Sequence, residues 1–144
     1  MKTLLARWTT TLALVFATAG LVAACTTSQA ASVQTVTVVA RDVSYAPAAV
    51  ALRANVPVRL TLVNEGVLEH DVTAPDLSVG EAVAPSHGTG EHAMVPMSSG
   101  TVHVVAPGGG SATVEFTPRR GSFEFYCAVP GHREAGMRGT VRVM

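Results

Sequence analysis

The sequence predicts an all-β fold: a Greek-key β-sandwich of about eight strands in a single domain. Three observations carry this. Short β-type runs separated by turn residues recur along the chain from residue 33 onward. Several of these runs alternate apolar and polar residues at period two, as half-buried strands do. No stretch beyond the first residues shows a helical apolar stripe with caps, with 79 to 100 ambiguous.

The elements follow in chain order. Residues 1 to 24 begin with Lys2 and Arg7, continue through the apolar "TLALVFATAGLVAA" and stop at Cys25. That charge order and length describe a secretory signal peptide rather than a membrane span. The residues "VAAC" resemble a bacterial lipobox, in which the cysteine is lipidated and becomes the new N-terminus. The alternative is ordinary cleavage that leaves Cys25 as a free thiol or removes it. "TTSQAAS" is small, polar and flexible, so residues 25–32 read as a lipid-anchored tether and 33–144 as the folded domain. The expected location is extracytoplasmic: the periplasm or the outer face of the cell membrane.

Within 33–144 the strand-like runs are "VQTVTVVA" (33 to 40), "AAVALRA" (48 to 54), "PVRLTLVN" (57 to 64), "HDVTA" (70 to 74), "TVHVVA" (101 to 106), "SATVEFTP" (111 to 118), "SFEFYC" (122 to 127) and "GTVRVM" (139 to 144). Val58, Leu60 and Leu62 share one face while Arg59 and Thr61 share the other. Such runs at this spacing argue for an antiparallel sandwich or barrel. Aromatic residues are few, so the core rests mainly on Val, Leu and Ala. The segment 78 to 100 is rich in Gly, Ser and Pro and breaks the strand rhythm.

Charge excludes one class of partner. Without Lys2 and Arg7, eight Arg face ten Asp plus Glu, a net charge of −2, and no basic run exists. Nucleic acid is therefore not expected, because phosphate binding needs a clustered positive surface. No long apolar segment follows the leader, so membrane contact is expected through the lipid alone. If Cys25 carries lipid, Cys127 is a solitary thiol in an oxidising compartment, which usually means that something holds it.

The chemistry concentrates in "FEFYCAVPGHREAGM", where Cys127, His132 and Met137 follow one another at intervals of five residues. Thiolate, imidazole and thioether are the side chains that a soft transition metal binds best. Period two puts Phe123, Phe125 and Cys127 on one face, with the thiol inward at the strand's end. Turns at Pro130–Gly131 and at Gly136 then bring His132 and Met137 toward the sulfur. A fourth ligand is expected from another strand, and "NEGVLEHDVTA" supplies His70. Copper held by His70, Cys127 and His132 in a plane, with Met137 as weak axial ligand, is the expectation. Structural zinc is the rival, but it usually takes four strong N or S ligands and no thioether.

Residues 33 to 144 resemble the cupredoxins, the small blue copper proteins. The family pattern is N-x-G followed by His-Asp or His-Asn, then a Cys-x4-His-x4-Met loop and a closing strand. This chain has "NEGVLEHD" and "CAVPGHREAGMRGTVRV", with loop spacing similar to that of the auracyanins. The resemblance implies an eight-stranded Greek-key sandwich, one type 1 copper ion and outer-sphere one-electron transfer. It implies equatorial roles for His70, Cys127 and His132 and an axial role for Met137. Asp71 departs from the pattern, since many relatives carry Asn after the first histidine.

The expected function is a monomeric electron carrier between redox protein partners, cycling Cu(I) and Cu(II). The alternative is a copper storage or delivery protein that uses the same site plus the loop 87–97, whose His87, His92, Met94 and Met97 would form a second, looser copper site. For those four residues a solvated loop is the preferred reading, and His103 reads as an ordinary strand histidine. No enzyme is expected: multicopper oxidases and nitrite reductases use further domains and histidine clusters, and no His-x-His pair occurs here. A binuclear copper loop needs a second cysteine beside Cys127, and none is there.

Overall fold

A computed structural model describes residues 32–80 and 99–144. The expected signal peptide, Cys25, the tether up to residue 31, and His87, His92, Met94 and Met97 lie outside the described residues. The described chain forms β1 (Gln34–Arg41), β2 (Ser44–Ala46), β3 (Ala49–Leu52), β4 (Val58–Asn64), β5 (His70–Ala74), β6 (Val102–Ala106), β7 (Ser111–Phe116), β8 (Gly121–Tyr126) and β9 (Arg138–Val143). They make two sheets, ordered β2-β1-β4-β7 and β3-β9-β8-β5-β6. Eight strands fall on the runs expected from sequence. The addition is β2, a three-residue strand that pairs with the end of β1, Val39 opposite Ala46.

The sheets are mixed, which corrects the antiparallel expectation: β1 runs parallel to β4, and β3 parallel to β9. The reason lies in how the chain changes sheet. β2 and β3 form one descending passage that crosses from the first sheet to the second, with Pro47, which has no N–H for a ladder, at the break. β4 therefore ascends again and settles beside β1 in the same direction. β9 likewise descends beside β3.

The period-two pattern of β4 appears as a burial alternation, with Val58, Leu60 and Leu62 inward. On the outer face Arg59 pairs with Glu115 across to β7 at 2.7 Å, and the Thr61 and Thr113 hydroxyls meet at 3.0 Å. Between the sheets, Val38, Leu60, Leu62, Val114 and Phe116 face Val72, Val102, Val104, Phe125 and Val141, all buried. Each large aliphatic side chain hidden this way contributes about 1.5–3 kcal/mol. Both sheets and this core lie within Gln34–Val143, so a chain beginning after Cys25 keeps every strand.

The sandwich has two poles. One carries the connections 42–43, 65–69, 107–110 and 127–137, where β5 begins and β8 ends. The other carries 53–57, 117–120, both ends of the 75–101 connection and the point at which the chain enters at Val33.

Candidate metal centre

His70 opens β5 at the first pole, and Asn64 shapes the loop that delivers it. The Asn64 side chain is buried; its Nδ2 donates to the Leu68 carbonyl at 2.7 Å and to the Ala106 carbonyl at 3.0 Å. Its Oδ1 accepts from the Gly66 N–H at 2.9 Å. The N-x-G motif is thus a loop wound round one amide. A Cβ on Gly108 would lie 2.2 Å from the Val67 carbonyl oxygen, so the neighbouring connection closes on this loop only with glycine there.

Cys127 directly follows β8 and continues the face that also buries Phe125, as the alternation predicts, and Phe123 is partly buried against the same core. The following loop is built from tight turns. His132 N–H donates to the Val129 carbonyl at 3.1 Å, Ala135 N–H to Gly131 at 3.0 Å, and Met137 N–H to His132 at 2.9 Å. Gly131 and Gly136 have φ of 85° and 104°, a region that favours glycine. Cys127 N–H donates to the Met137 carbonyl at 3.1 Å and closes the loop at its base. Arg133 lies with its guanidinium 4.0 Å from the Tyr126 ring and pairs with Glu124, which ties the loop to β8.

The geometry brings together three of the four candidates named from sequence. Cys127 Sγ lies 3.9 Å from His70 Nδ1 and 3.4 Å from His132 Nδ1. One ligand atom from each of the three residues lies within 4.8 Å of the other two. Met137 is fully buried at the head of β9. His70 and Cys127 are buried and His132 is partly exposed.

Burial pushes the Cys127 thiol up from its ordinary value, and the Asp71 charge adds to that; the backbone N–H groups of Asp71 and Val129 oppose it. Burial also pushes His70 down, aided by His132 and opposed by Asp42 and Asp71. The metal-free site is therefore neutral in sulfur and in the His70 ring. A neutral imidazole is the ligand form, and a metal must displace the thiol proton.

These residues fit a soft metal by the chemistry of their donor set. The donor set is one sulfur and two imidazole nitrogens converging on one point, with a buried thioether on the same loop. His70 Nε2, on the side of the Gly66 loop and away from the thiol, is buried without a hydrogen-bond partner among the described residues. That ring is therefore anchored by packing and by whatever Nδ1 meets on the thiol side.

Three supporting residues were not legible as such. The Asp71 carboxylate accepts the Ala128 N–H at 3.0 Å and the Thr73 hydroxyl at 2.8 Å, and its Oδ2 lies 3.8 Å from Cys127 Sγ. It joins β5 to the ligand loop, the task an amide would have performed. His103 is a satisfied strand histidine, and its partner is what the sequence did not show: Nε2 stands 4.0 Å from Asp71 Oδ1, because Thr73 and His103 pair across β5 and β6. The Tyr45 hydroxyl on β2 donates to the Asp71 carbonyl, and its ring tilts against Phe125 with centroids 5.1 Å apart. Burial pushes the Tyr45 hydroxyl far up, with the Cys127 and Asp71 charges adding to it.

A β-sandwich that gathers a thiol, two imidazoles and a thioether at one pole defines a class of small copper-binding proteins. The family model for the Cupredoxin-like domain matches residues 12–143, and the chain belongs to that family. Copper is accordingly its metal. The chain is 37% identical over 114 residues to the copper-resistant cuproprotein CopI of Rubrivivax gelatinosus, covering 76% of this chain and 66% of that one. Among solved structures it is similar to auracyanin B, with 25% identity, a TM-score of 0.59, and 77% and 88% of the two chains covered. It also shares its fold with the dithionite-reduced auracyanin of Roseiflexus castenholzii, with 18% identity, a TM-score of 0.63 and 80% and 99% covered.

Proposed function

We propose that the chain is an exported mononuclear type 1 copper protein that carries single electrons between protein partners. His70, Cys127 and His132 are the equatorial ligands and Met137 the axial one. The observation that carries this is the convergence of three ligand atoms within 4.8 Å, from the start of β5 and the loop between β8 and β9. Bound copper supplies a one-electron couple. The chain's own part is to hold the donors in one arrangement, and that arrangement is built before any metal arrives. Asn64 fixes the loop before His70, Asp71 fixes the start of the ligand loop, and the bond between Cys127 and Met137 fixes its end. Preset donors lower the rearrangement that accompanies a change of charge.

His132 is the partly exposed member of the set, and Ala128, Pro130 and Gly131 beside it are exposed. Val67, 89% exposed, and Leu68 extend the apolar rim at the same pole. Such a surface suits brief contact with a redox partner, and the reading is of a carrier rather than an enzyme. The order of charge and apolar residues before Cys25 supports export, with the lipid anchor as part of the proposal. The copper-loaded protein is expected to be intensely blue or green, and Cys127→Ser to be colourless while still folded. An absorption spectrum beside circular dichroism checks both, and a coloured serine variant would remove the assigned sulfur ligand.

A copper-handling role is the second reading, favoured by the likeness to a protein named for copper resistance. The segment holding His87, His92, Met94 and Met97 leaves at Gly80 and rejoins at Ser99, at the pole opposite His70 and Cys127. Copper titration distinguishes the readings. One equivalent that survives repeated redox cycling supports the carrier, and ready loss to a chelator or a second equivalent supports handling.

A further inference from the structure

The pole at which the chain enters the sandwich is cationic. Arg119 and Arg120 lie in the connection between β7 and β8. Arg142 stands on β9 opposite Ser122 and Ala51, and Arg53 follows Ala51 by two residues on the same outward face. All four arginines are exposed. Arg53 Nη2 donates to Ser32 Oγ at 3.4 Å, where the described chain begins. Among the described residues of this pole the acidic side chains are Asp76 and Glu115, and Glu115 is paired with Arg59, so the four arginines outnumber the unpaired carboxylate. Val33 and Val79, 52% and 58% exposed, lie at the same pole.

We propose that this pole seats the domain on an anionic phospholipid surface, with the arginines toward headgroup phosphates and the candidate metal centre facing away from the bilayer. Guanidinium groups match phosphate oxygens in pairs, and basic groups near an anionic leaflet are drawn to it. The chain beyond the leader carries more carboxylates than arginines. The attraction therefore comes from where the arginines stand, and not from total charge. Apolar side chains beside them suit the headgroup boundary. If Cys25 carries lipid, residues 26 to 32 reach about 25 Å at most, and the short tether raises the local concentration of the pole at the surface. The orientation rests on that reading of the leader. The surface itself does not.

The test uses the copper-loaded chain 26–144, which keeps every strand and lacks both leader and Cys25. It is expected to cosediment with phosphatidylcholine vesicles containing phosphatidylglycerol, to remain in solution with phosphatidylcholine alone, and to be released by added salt. One arginine near such a surface is worth about fivefold in partitioning. Arg120→Glu with Arg142→Glu, neither within the core, should therefore lower binding by at least about 25-fold. Arg120→Lys with Arg142→Lys should stay within a few fold. Arg41→Glu with Val67→Glu and Leu68→Glu, all exposed, makes the same change of net charge at the other pole and should bind as the parent does. If the reversed pair fails circular dichroism, Arg120→Gln with Arg142→Gln gives the same reading. Equal sedimentation with both lipids, none with the anionic vesicles, or equal loss in the variants of the two poles overturns the proposal. None of these outcomes bears on the copper spectrum, so the proposed function is tested apart.

Discussion

Cys127 must become an anion beside another anion. Asp71 Oδ2 stands 3.8 Å from the sulfur, and its charge works with burial to hold the thiol protonated. Asp71→Asn keeps an acceptor for the Ala128 N–H and removes that charge. The variant is expected to favour the reduced copper protein by about 1–4 kcal/mol, the span for unit charges about 4 Å apart between water and a protein surface, and a redox titration reads this as a higher potential. Displaced groups also shape the pH profile of the copper-free domain. His70 is lowered from 6.5, so below that value the unfolded chain takes up a proton that the folded chain resists, and stability falls as pH drops. Cys127 is raised from 9.0, so above that value the unfolded chain releases a proton that the folded chain keeps, and stability falls again. Urea midpoints across this range should show a plateau between the two values, and Cys127→Ser should move the onset of the alkaline fall upward, to the part above 10.0 that the raised Tyr45 hydroxyl causes. The ligand spacing was legible because one loop holds three donors five residues apart. The roles of Asp71 and His103 were not, because they arise from the pairing of Thr73 with His103 and from a contact between β5 and the loop.

At the scale of elements, β9 closes on β8 only because Gly139 is small. A Cβ there would lie 2.3 Å from the Phe125 ring and 2.6 Å from the Ala48 carbonyl oxygen. Backbone on one side and a buried ring on the other leave little room to yield. Gly139→Ala is expected to lower stability by about 1–3 kcal/mol, the usual cost of overpacking, as a reduced midpoint in thermal unfolding. Eight of the nine strands were readable from alternation and turn residues. β2 was not, because Ser44–Ala46 is too short to display a period, and its reason for pairing is the distant Tyr45 contact with Asp71.

For the whole molecule, metal binding and folding are linked, because the converging donors exist together only in the native state. With free copper about a thousandfold above its dissociation constant, the native state gains about 4 kcal/mol, a rise in thermal midpoint on the order of twenty degrees for a domain near this size. Calorimetry with and without copper measures it, and Cys127→Ser should erase most of the difference. The sandwich as a class was legible; its two parallel pairs were not, since alternation shows which face a residue takes and not which sheet the next strand enters. One further property follows from the bond between the Cys127 N–H and the Met137 carbonyl. Because it pins both ends of the ligand loop to adjacent strands, residues 128–136 form an interchangeable cassette. Shorter or longer versions grafted between the same two anchors would alter the coordination sphere while leaving the scaffold beneath it unchanged.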